Sequence, residues 1–251
     1  MPTNQQYGSS IRRETSLFAN WPPNGPREIG DYGRVNGALF EFYGCLDPEE
    51  IKALGKREGP SPAGYDVMIN SSRSLSSHLS AEASAANVAD GKALLEIKFS
   101  SEEGIVFAAP SIKITEITSM AALGRLLNER RREGNWIMDH AVVVQVSAAE
   151  SATILLSDQD GAGMEFEVAA DAPVNAQLVA QLDAGASLLS SHGVGIKIIG
   201  EGPLTPLFKL AYLKRRIVGD PRIVYREAVA PGTDDEFEVH DVDDEYVLVV
   251  G

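Results

Sequence analysis

The chain has 251 residues, a hydrophobic fraction of 44% and a formal net charge of −14, which are values typical of a folded globular protein. The acidic excess argues against nucleic acid as a partner, because phosphate backbones are bound through Lys and Arg. The single cysteine, Cys45, excludes an internal disulfide and fits a reducing cytoplasm.

Targeting and cofactor signals are missing from the sequence. The N-terminal residues lack the apolar segment of a signal peptide, and no apolar run approaches the ~20 residues of a membrane-spanning helix. The four histidines lack the spacing of zinc ligands, and no phosphate-binding or nucleophile motif occurs. We therefore expect a cytoplasmic protein without catalytic residues, metal or cofactor.

The first third of the chain combines irregular and extended segments. Residues 1–16 are polar, and we expect them to be mobile. VNGALFEFYGCL at 35–46 predicts a hairpin that turns at Asn36-Gly37, a preferred pair for tight turns. Residues 47–62 begin with an Asp-Pro pair that predicts a capped short helix.

A serine-rich stretch at 70–90 alternates weakly between small apolar and polar side chains. It is typical of a twisted, partly exposed strand or a serine-rich loop. A second interpretation is a two-faced segment such as a membrane strand requires.

The centre of the chain predicts strands with one helix among them. Strands are expected at 92–99, 104–109, 111–117, 136–146, 151–157 and 163–168. SMAALGRLLNERRR predicts a helix with Ser119 as its N-cap. The turn-forming residues after 157 predict that the strands 151–157 and 163–168 form a hairpin.

The last third is less uniform. Residues 174–200 fit either a hairpin or a helix, with a slight preference for the hairpin. LTPLFKLAYLKRR at 204–216 predicts a helix, because Thr205 and Pro206 resemble a helix start. A strand is expected at 222–229. Together the segments predict a strand-rich α+β protein with a twisted antiparallel sheet, long hairpins and a few amphipathic helices.

Charge divides the chain into a body and a tail. We expect one strand-rich domain over 17–230, followed by an acidic segment at 231–251 that ends in a strand. The candidate basic patch for lipid or tail binding is Arg125, Arg130, Arg131, Arg132, Lys209, Lys214, Arg215, Arg216, Arg222 and Arg226. The candidate acidic masking segment is Asp234, Asp235, Glu236, Glu238, Asp241, Asp243, Asp244 and Glu245.

The order of these parts resembles the gasdermin pore-forming domain over residues 30–216. The matching parts are Gly30-Asp31, the serine-rich stretch before KALLEIKF, and the Arg-ended helix that leads into WIMDHAVVVQVSAAESATILLS. A further hairpin and the basic segment 204–216 follow in the same order. The likeness is one of pattern, and the acylated N-terminal cysteine of bacterial members has no counterpart here.

The resemblance implies a non-enzymatic protein that its C-terminal segment holds inactive. Release of that segment would let the basic surfaces bind anionic membranes, and the hairpins would then extend into an oligomeric pore. In this hypothesis the acidic run covers the basic patch while YVLVV pairs as an edge strand. The simpler interpretation is a solvated connector and a strand that completes a sheet.

Two other functions remain open at the level of sequence. One is a soluble scaffold or assembly protein that binds a protein partner through its acidic face. The other is an enzyme of an unrecognised family, with a site built from scattered residues such as Asp139, His140 and Glu201.

Overall fold

The computed structural model describes residues 2–60, 64–76, 92–169, 179, 182, 187–215, 238–241 and 246–250. Its helices are α1 (Asn4–Thr15), α2 (Pro48–Leu54) and α3 (Met120–Arg132). Its strands are β1 (Phe18–Ala19), β2 (Asp31–Asn36), β3 (Leu39–Cys45), β4 (Lys56–Glu58), β5 (Gly64–Ile69), β6 (Ser71–Ser76), β7 (Lys92–Phe99), β8 (Ile105–Pro110), β9 (Ile112–Ile117), β10 (His140–Ser157), β11 (Gly163–Ala169), β12 (Ser187–His192), β13 (Val194–Arg215), β14 (Glu238–Asp241) and β15 (Tyr246–Val250). The predicted strand-rich, antiparallel α+β class is confirmed.

The chain forms two compact units, and the single domain expected over 17–230 stays a prediction. Unit 1 contains residues 1–10, 61–112 and 149–204, and unit 2 contains residues 11–60, 113–148 and 205–251. The long strands β10 and β13 each begin in one unit and end in the other.

Unit 1 contains two antiparallel layers. In one layer β8 pairs with β5 on one side and with the end of β10 on the other. The other layer has the strand order β12-β11-β7-β6. Apolar side chains from both layers, among them Val106 and Leu155 from the first and Leu95 and Phe166 from the second, form one buried cluster. This packing is that of a sandwich, in which two inner faces share a core.

Unit 2 contains a sheet in which the strands follow the order β14-β15-β13-β10-β2-β3. Its main core combines Leu123 and Leu127 of α3 with strand residues that include Val142, Ala211 and Leu248. A second cluster contains Val143 and Phe208, so β10 and β13 contribute to two separate cores.

The N-terminal residues, which we expected to be mobile, form the helix α1. Tyr7 and Ile11 lie one helical turn apart and are both fully buried. The spacing of four residues puts them on one face of the helix, and a single apolar pair among polar neighbours is too weak a signal to predict that face.

Local signals predicted two helices and a hairpin correctly. Asp47 caps α2 and shares a capping box with Glu50, and Ser119 caps α3. The hairpin of β2 and β3 is present, but its turn is at Gly37-Ala38, one residue later than the predicted Asn36-Gly37, because Asn36 is paired with Leu39. Only Gly37 has a positive φ there, of 64°, which fits a turn with glycine at its first central position.

The helix predicted at 204–216 is wrong, because residues 194–215 are the strand β13. Phe208 and Leu210 lie in one core and Ala211 and Leu213 in the other, so both faces of the strand are buried. A helix would bury one stripe only. Thr205 does not cap a helix, since its hydroxyl accepts a hydrogen bond from the Arg27 backbone N–H at 2.8 Å.

The hairpin predicted from 151–157 and 163–168 is also wrong. The first of these segments is the end of the single long strand β10, while β11 pairs with β7 on one side and β12 on the other. Both edges of β11 are therefore occupied by other strands.

Three further predictions fall wholly or partly outside the described residues. Of the serine-rich stretch only 70–76 is described, with β6 in it. In 174–200, Val179 and Leu182 are helical, and β12 and β13 meet at Gly193, which has a φ of 63°. The strand expected at 222–229 lies outside the described residues.

Candidate functional site

The closing strand β15 is the centre of the candidate site in unit 2. It pairs antiparallel with β13, with Ala211 opposite Val250 and Arg215 opposite Tyr246, and also with β14. The sequence analysis expected YVLVV at the edge of a sheet, but β15 is an interior strand with β14 outside it. Two backbone ladders therefore hold it.

Apolar side chains also fix β15 in place. Leu248, Val249 and Val250 are buried, and Leu248 and Val250 belong to the core that contains Leu123 and Leu127 of α3. Burial of a Leu or Val side chain contributes about 1.5–3 kcal/mol, so these side chains stabilise the docked strand by several times the thermal energy.

The arginines of α3 differ in their exposure and in their contacts. Arg130 binds Glu50 of α2 through two hydrogen bonds, Nε to Oε1 at 3.1 Å and Nη2 to Oε2 at 2.5 Å. Arg131 donates from Nε and Nη2 to the Oδ1 of Asn128 at 3.0 and 2.9 Å. Arg125 and Arg132 are exposed. Arg130 is thus bound by a carboxylate of α2, and its predicted role in lipid or tail binding stays a prediction.

The basic residues of β13 lie beside the closing strand. Lys214 is opposite Val247 and Arg215 is opposite Tyr246 in the ladder, so this part of the predicted patch is next to the tail. Arg216, Arg222 and Arg226 lie outside the described residues.

The acidic residues of the tail are described only in part. Glu238 and Asp241 are the end residues of β14, and the other six predicted residues lie outside the described part of the chain. The pairing of acidic with basic side chains therefore stays a prediction, and the contact that the structure gives is the strand ladder.

A second cluster in unit 2 surrounds His140. Its ring lies 5.7 Å from the ring of Tyr32, 5.5 Å from that of Tyr43 and 5.4 Å from that of Trp136, between centroids. Burial lowers the pKa of His140, and the Asp139 carboxylate opposes this shift. The buried Nδ1 has no hydrogen-bond partner, and the ring packs among these aromatic side chains.

Of the scattered residues considered for an enzyme, Asp139 and His140 are described with their side chains. The Asp139 carboxylate lies 3.7 Å from the Nη2 of Arg34 at the surface. Glu201 lies in β13, and its side chain is not among those that the structure describes. The described residues also contain no group of His, Cys, Asp and Glu side chains suited to a metal ion.

Sequence analysis missed a buried ion pair in unit 2. The Nη1 of Arg27 lies 3.4 Å from the Oδ2 of Asp31, and the two side chains are 10% and 8% exposed. The guanidinium also lies over the ring of Phe40, 5.2 Å from its centroid. The i, i+4 spacing of an arginine and an aspartate was the available signal, but nothing local indicated that the pair is buried.

The chain matches no protein-family model, and no curated protein resembles it at a significant level. In the part of the chain that the structure describes, none of the helices has the length and apolar character needed to cross a bilayer.

Proposed function

We propose that the protein is an autoinhibited membrane-acting protein, restrained by residues 231–251 until that segment is cleaved or displaced. The observation that carries the proposal is the pairing of β15 with β13. The strands β14 and β15 lie at one end of the strand order, and β13 is the strand next to them. Loss of the segment would remove both strands together.

Release of the segment would change the surface of unit 2 in two ways. The β13 backbone from Ala211 to Arg215 would become an unpaired edge, and such edges pair readily with another chain. Loss of Leu248 and Val250 would also uncover the apolar residues beneath α3. These changes favour self-association, which is why we propose a homo-oligomer as the active form.

The basic patch would direct the released protein to anionic lipid. Lys214 and Arg215 lie along the edge that β15 leaves, and Arg125 and Arg132 are exposed on α3. A basic residue near an anionic surface contributes about 1 kcal/mol to binding. The proposal also includes a gasdermin-like pore. This part rests on the order of the segments alone, and the segment 204–216 no longer supports it as a helix, because residues 194–215 are the strand β13.

The test is leakage from dye-filled vesicles. A protease-recognition sequence placed at 231–237 allows the full-length protein to be cleaved in the presence of the vesicles. We expect leakage from anionic vesicles after cleavage, little from neutral vesicles, and none before cleavage. Cleaved protein that keeps its fold and causes no leakage would end the proposal.

A soluble assembly protein is the second candidate, because one end of the sheet of unit 2 is exposed. The strand β3 ends the strand order, and Phe42 and Tyr43 are 50% and 51% exposed on it. An exposed edge with aromatic side chains suits a partner that adds a strand. A stable complex that forms without vesicle leakage, and that Phe42→Ala weakens, would favour this function.

A further inference from the structure

The sheet of unit 2 has two ends, and each could accept a further strand after residues 231–251 are released. At one end β3 pairs with β2, and within the described residues no strand pairs with the other edge of β3. At the opposite end β15, with β14 outside it, covers the β13 backbone from Ala211 to Arg215. A released copy would therefore have two open edges, on β3 and on β13.

The strand directions allow these two edges to pair with each other. The sheets are antiparallel, so the direction reverses at each step of the strand order β13-β10-β2-β3, and β3 runs opposite to β13. If a second copy continued the same sheet, its β3 would lie antiparallel to β13. The strand β15 has this same direction relative to β13 in the intact protein.

The start of β3 resembles the part of β15 that it would replace. β15 presents the sequence Leu-Val-Val, residues 248–250, to residues 213, 212 and 211 of β13 in that order. β3 begins with the apolar pair Leu39-Phe40, and both residues are half-buried. In the same register Leu39 takes the position of Leu248 and Phe40 takes that of Val249.

The faces of the two strands match in this register. Phe40 and Tyr212 both pack against the core cluster that contains Phe208, so they lie on one face of the sheet. Phe40 of one copy and Tyr212 of the next would be cross-strand neighbours on that face, and aromatic pairs of this kind stabilise sheets. Because side chains alternate along a strand, Leu39 falls on the other face, where Leu213 belongs to the core beneath α3.

Charge also favours the pairing. In the same register Glu41, which is exposed, lies opposite Ala211 at the position that Val250 occupies in the intact protein. Val250 and Lys209 line one pocket, and strand alternation places Lys209 on the face of Ala211. A carboxylate at this position would therefore lie beside an ammonium group.

The uncleaved protein presents a different edge. Its sheet ends in β14, whose first and last residues are Glu238 and Asp241. These residues carry the same charge as Glu41 on β3, and like charges on neighbouring strands are destabilising. The tail therefore covers a basic edge and replaces it with an acidic one.

We propose that in the released protein β3 of one copy takes the place of β15 on β13 of the next copy. The contact joins two different surfaces of the molecule, so it is heterologous and repeats from copy to copy in a ring or filament. The pairing rests on the proposed function, because it requires release of 231–251, and it names the surfaces through which the oligomer forms.

Disulfide trapping tests the pairing. Glu41→Cys and Ala211→Cys are combined in a Cys45→Ser background that carries the protease-recognition sequence at 231–237. After cleavage and oxidation on anionic vesicles, we expect linked dimers, trimers and larger species on a non-reducing gel, because residues opposite each other in a ladder are within reach of a disulfide. The uncleaved protein should give none, since β15 covers Ala211. Folded, cleaved protein that forms nothing larger than a dimer would overturn the proposal.

A charge swap provides a second test without cysteines. Glu41→Lys and Lys209→Glu each place like charges at the contact and should lower the association constant of the cleaved protein, measured by sedimentation, about fivefold or more. The combined variant restores opposite charges and should recover association. Glu102→Lys is the matched control, because Glu102 is exposed in the turn between β7 and β8, outside both strands. Single variants that associate like this control, or a combined variant that shows no recovery, would overturn the pairing.

Assembly and leakage are measured separately, so the two proposals can fail separately. A disulfide ladder from cleaved protein that causes no leakage would support the pairing and end the proposed membrane function. Leakage from the cleaved wild type, with no ladder from the folded double-cysteine variant, would support the membrane function and overturn the pairing.

Discussion

Ala211 of β13 lies directly opposite Val250 of β15, and both residues belong to the core that α3 covers. The closing strand is therefore held by backbone pairing and by apolar packing at the same positions. Displacing the strand would remove both contributions together.

Weakening the packing of β15 should mimic release. Leu248 is fully buried, so Leu248→Ala should destabilise the docked strand by about 2–5 kcal/mol through lost burial and a cavity. We expect increased proteolysis within 231–251 and detectable leakage from anionic vesicles without cleavage. Ile137 is 61% exposed, and Ile137→Ala is the control, with a change within about 0.5 kcal/mol. Equal leakage from both variants would contradict the proposal that the docked strand β15 restrains the protein.

The buried pair Arg27–Asp31 should be essential for the stability of unit 2. Arg27→Met leaves the Asp31 carboxylate buried without its cation, which should cost about 3–5 kcal/mol in the free energy of unfolding measured with urea. The double variant Arg27→Met/Asp31→Asn removes the uncompensated charge and should recover part of that loss. A double variant that is no more stable than the single one would show that the unpaired Asp31 charge does not cause the loss of stability.

His140 should make the protein less stable in acid. Because burial lowers the pKa of His140 in the folded state, the unfolded chain binds the proton more tightly than the folded one. Stability from this group is complete above the unfolded pKa of about 6.5 and falls as the pH drops below it.

Thermal unfolding between pH 5 and 8 measures this effect of His140. The midpoint of the wild type should fall with decreasing pH more steeply than that of His140→Phe, which keeps an aromatic ring in the cluster and cannot titrate. If the unfolding midpoint depends on pH identically in the two proteins, burial does not lower the pKa of His140.

Cys45 should be a slow nucleophile although it is exposed. Its Sγ donates a hydrogen bond to the Oδ1 of Asp31 at 3.2 Å, and this bond, more than burial, raises the pKa of the thiol. Since the thiolate is the reactive form, alkylation by iodoacetamide at pH 8 should be slower than that of an unstructured peptide thiol. Asp31→Asn should accelerate alkylation, and an unchanged rate in that folded variant would count against the hydrogen bond.

Local chemistry decided which elements could be predicted from the sequence. Asp47 and Ser119 carry their helix-start signals in their own side chains, and both helices were predicted correctly. Thr205 and Pro206 imitate such a signal, but β13 is a strand because it pairs with β15 and buries both faces. Those partners are distant in sequence, so no local pattern could reveal them.

In the candidate site, too, the sequence predicted local structure but not the pairing between distant segments. YVLVV was predicted to be a strand and is one, but its place inside the sheet depends on β13 and β14. Arg130 was placed in the lipid- or tail-binding patch from charge alone, and its contact with Glu50 of α2 could not be predicted from the sequence. A cluster of charged residues in a sequence identifies candidate binding residues. The groups that these side chains contact depend on how distant segments pack.

The central claim, that docking of β15 restrains the protein, can be tested with a reversible lock. Ala211→Cys and Val250→Cys, in a Cys45→Ser background, place two cysteines opposite each other in the ladder, within reach of a disulfide. The protein also carries the protease-recognition sequence at 231–237. After cleavage, the account predicts leakage from anionic vesicles when the lock is reduced and none when it is oxidised. Equal leakage in both states, or none in either from folded protein, would contradict it.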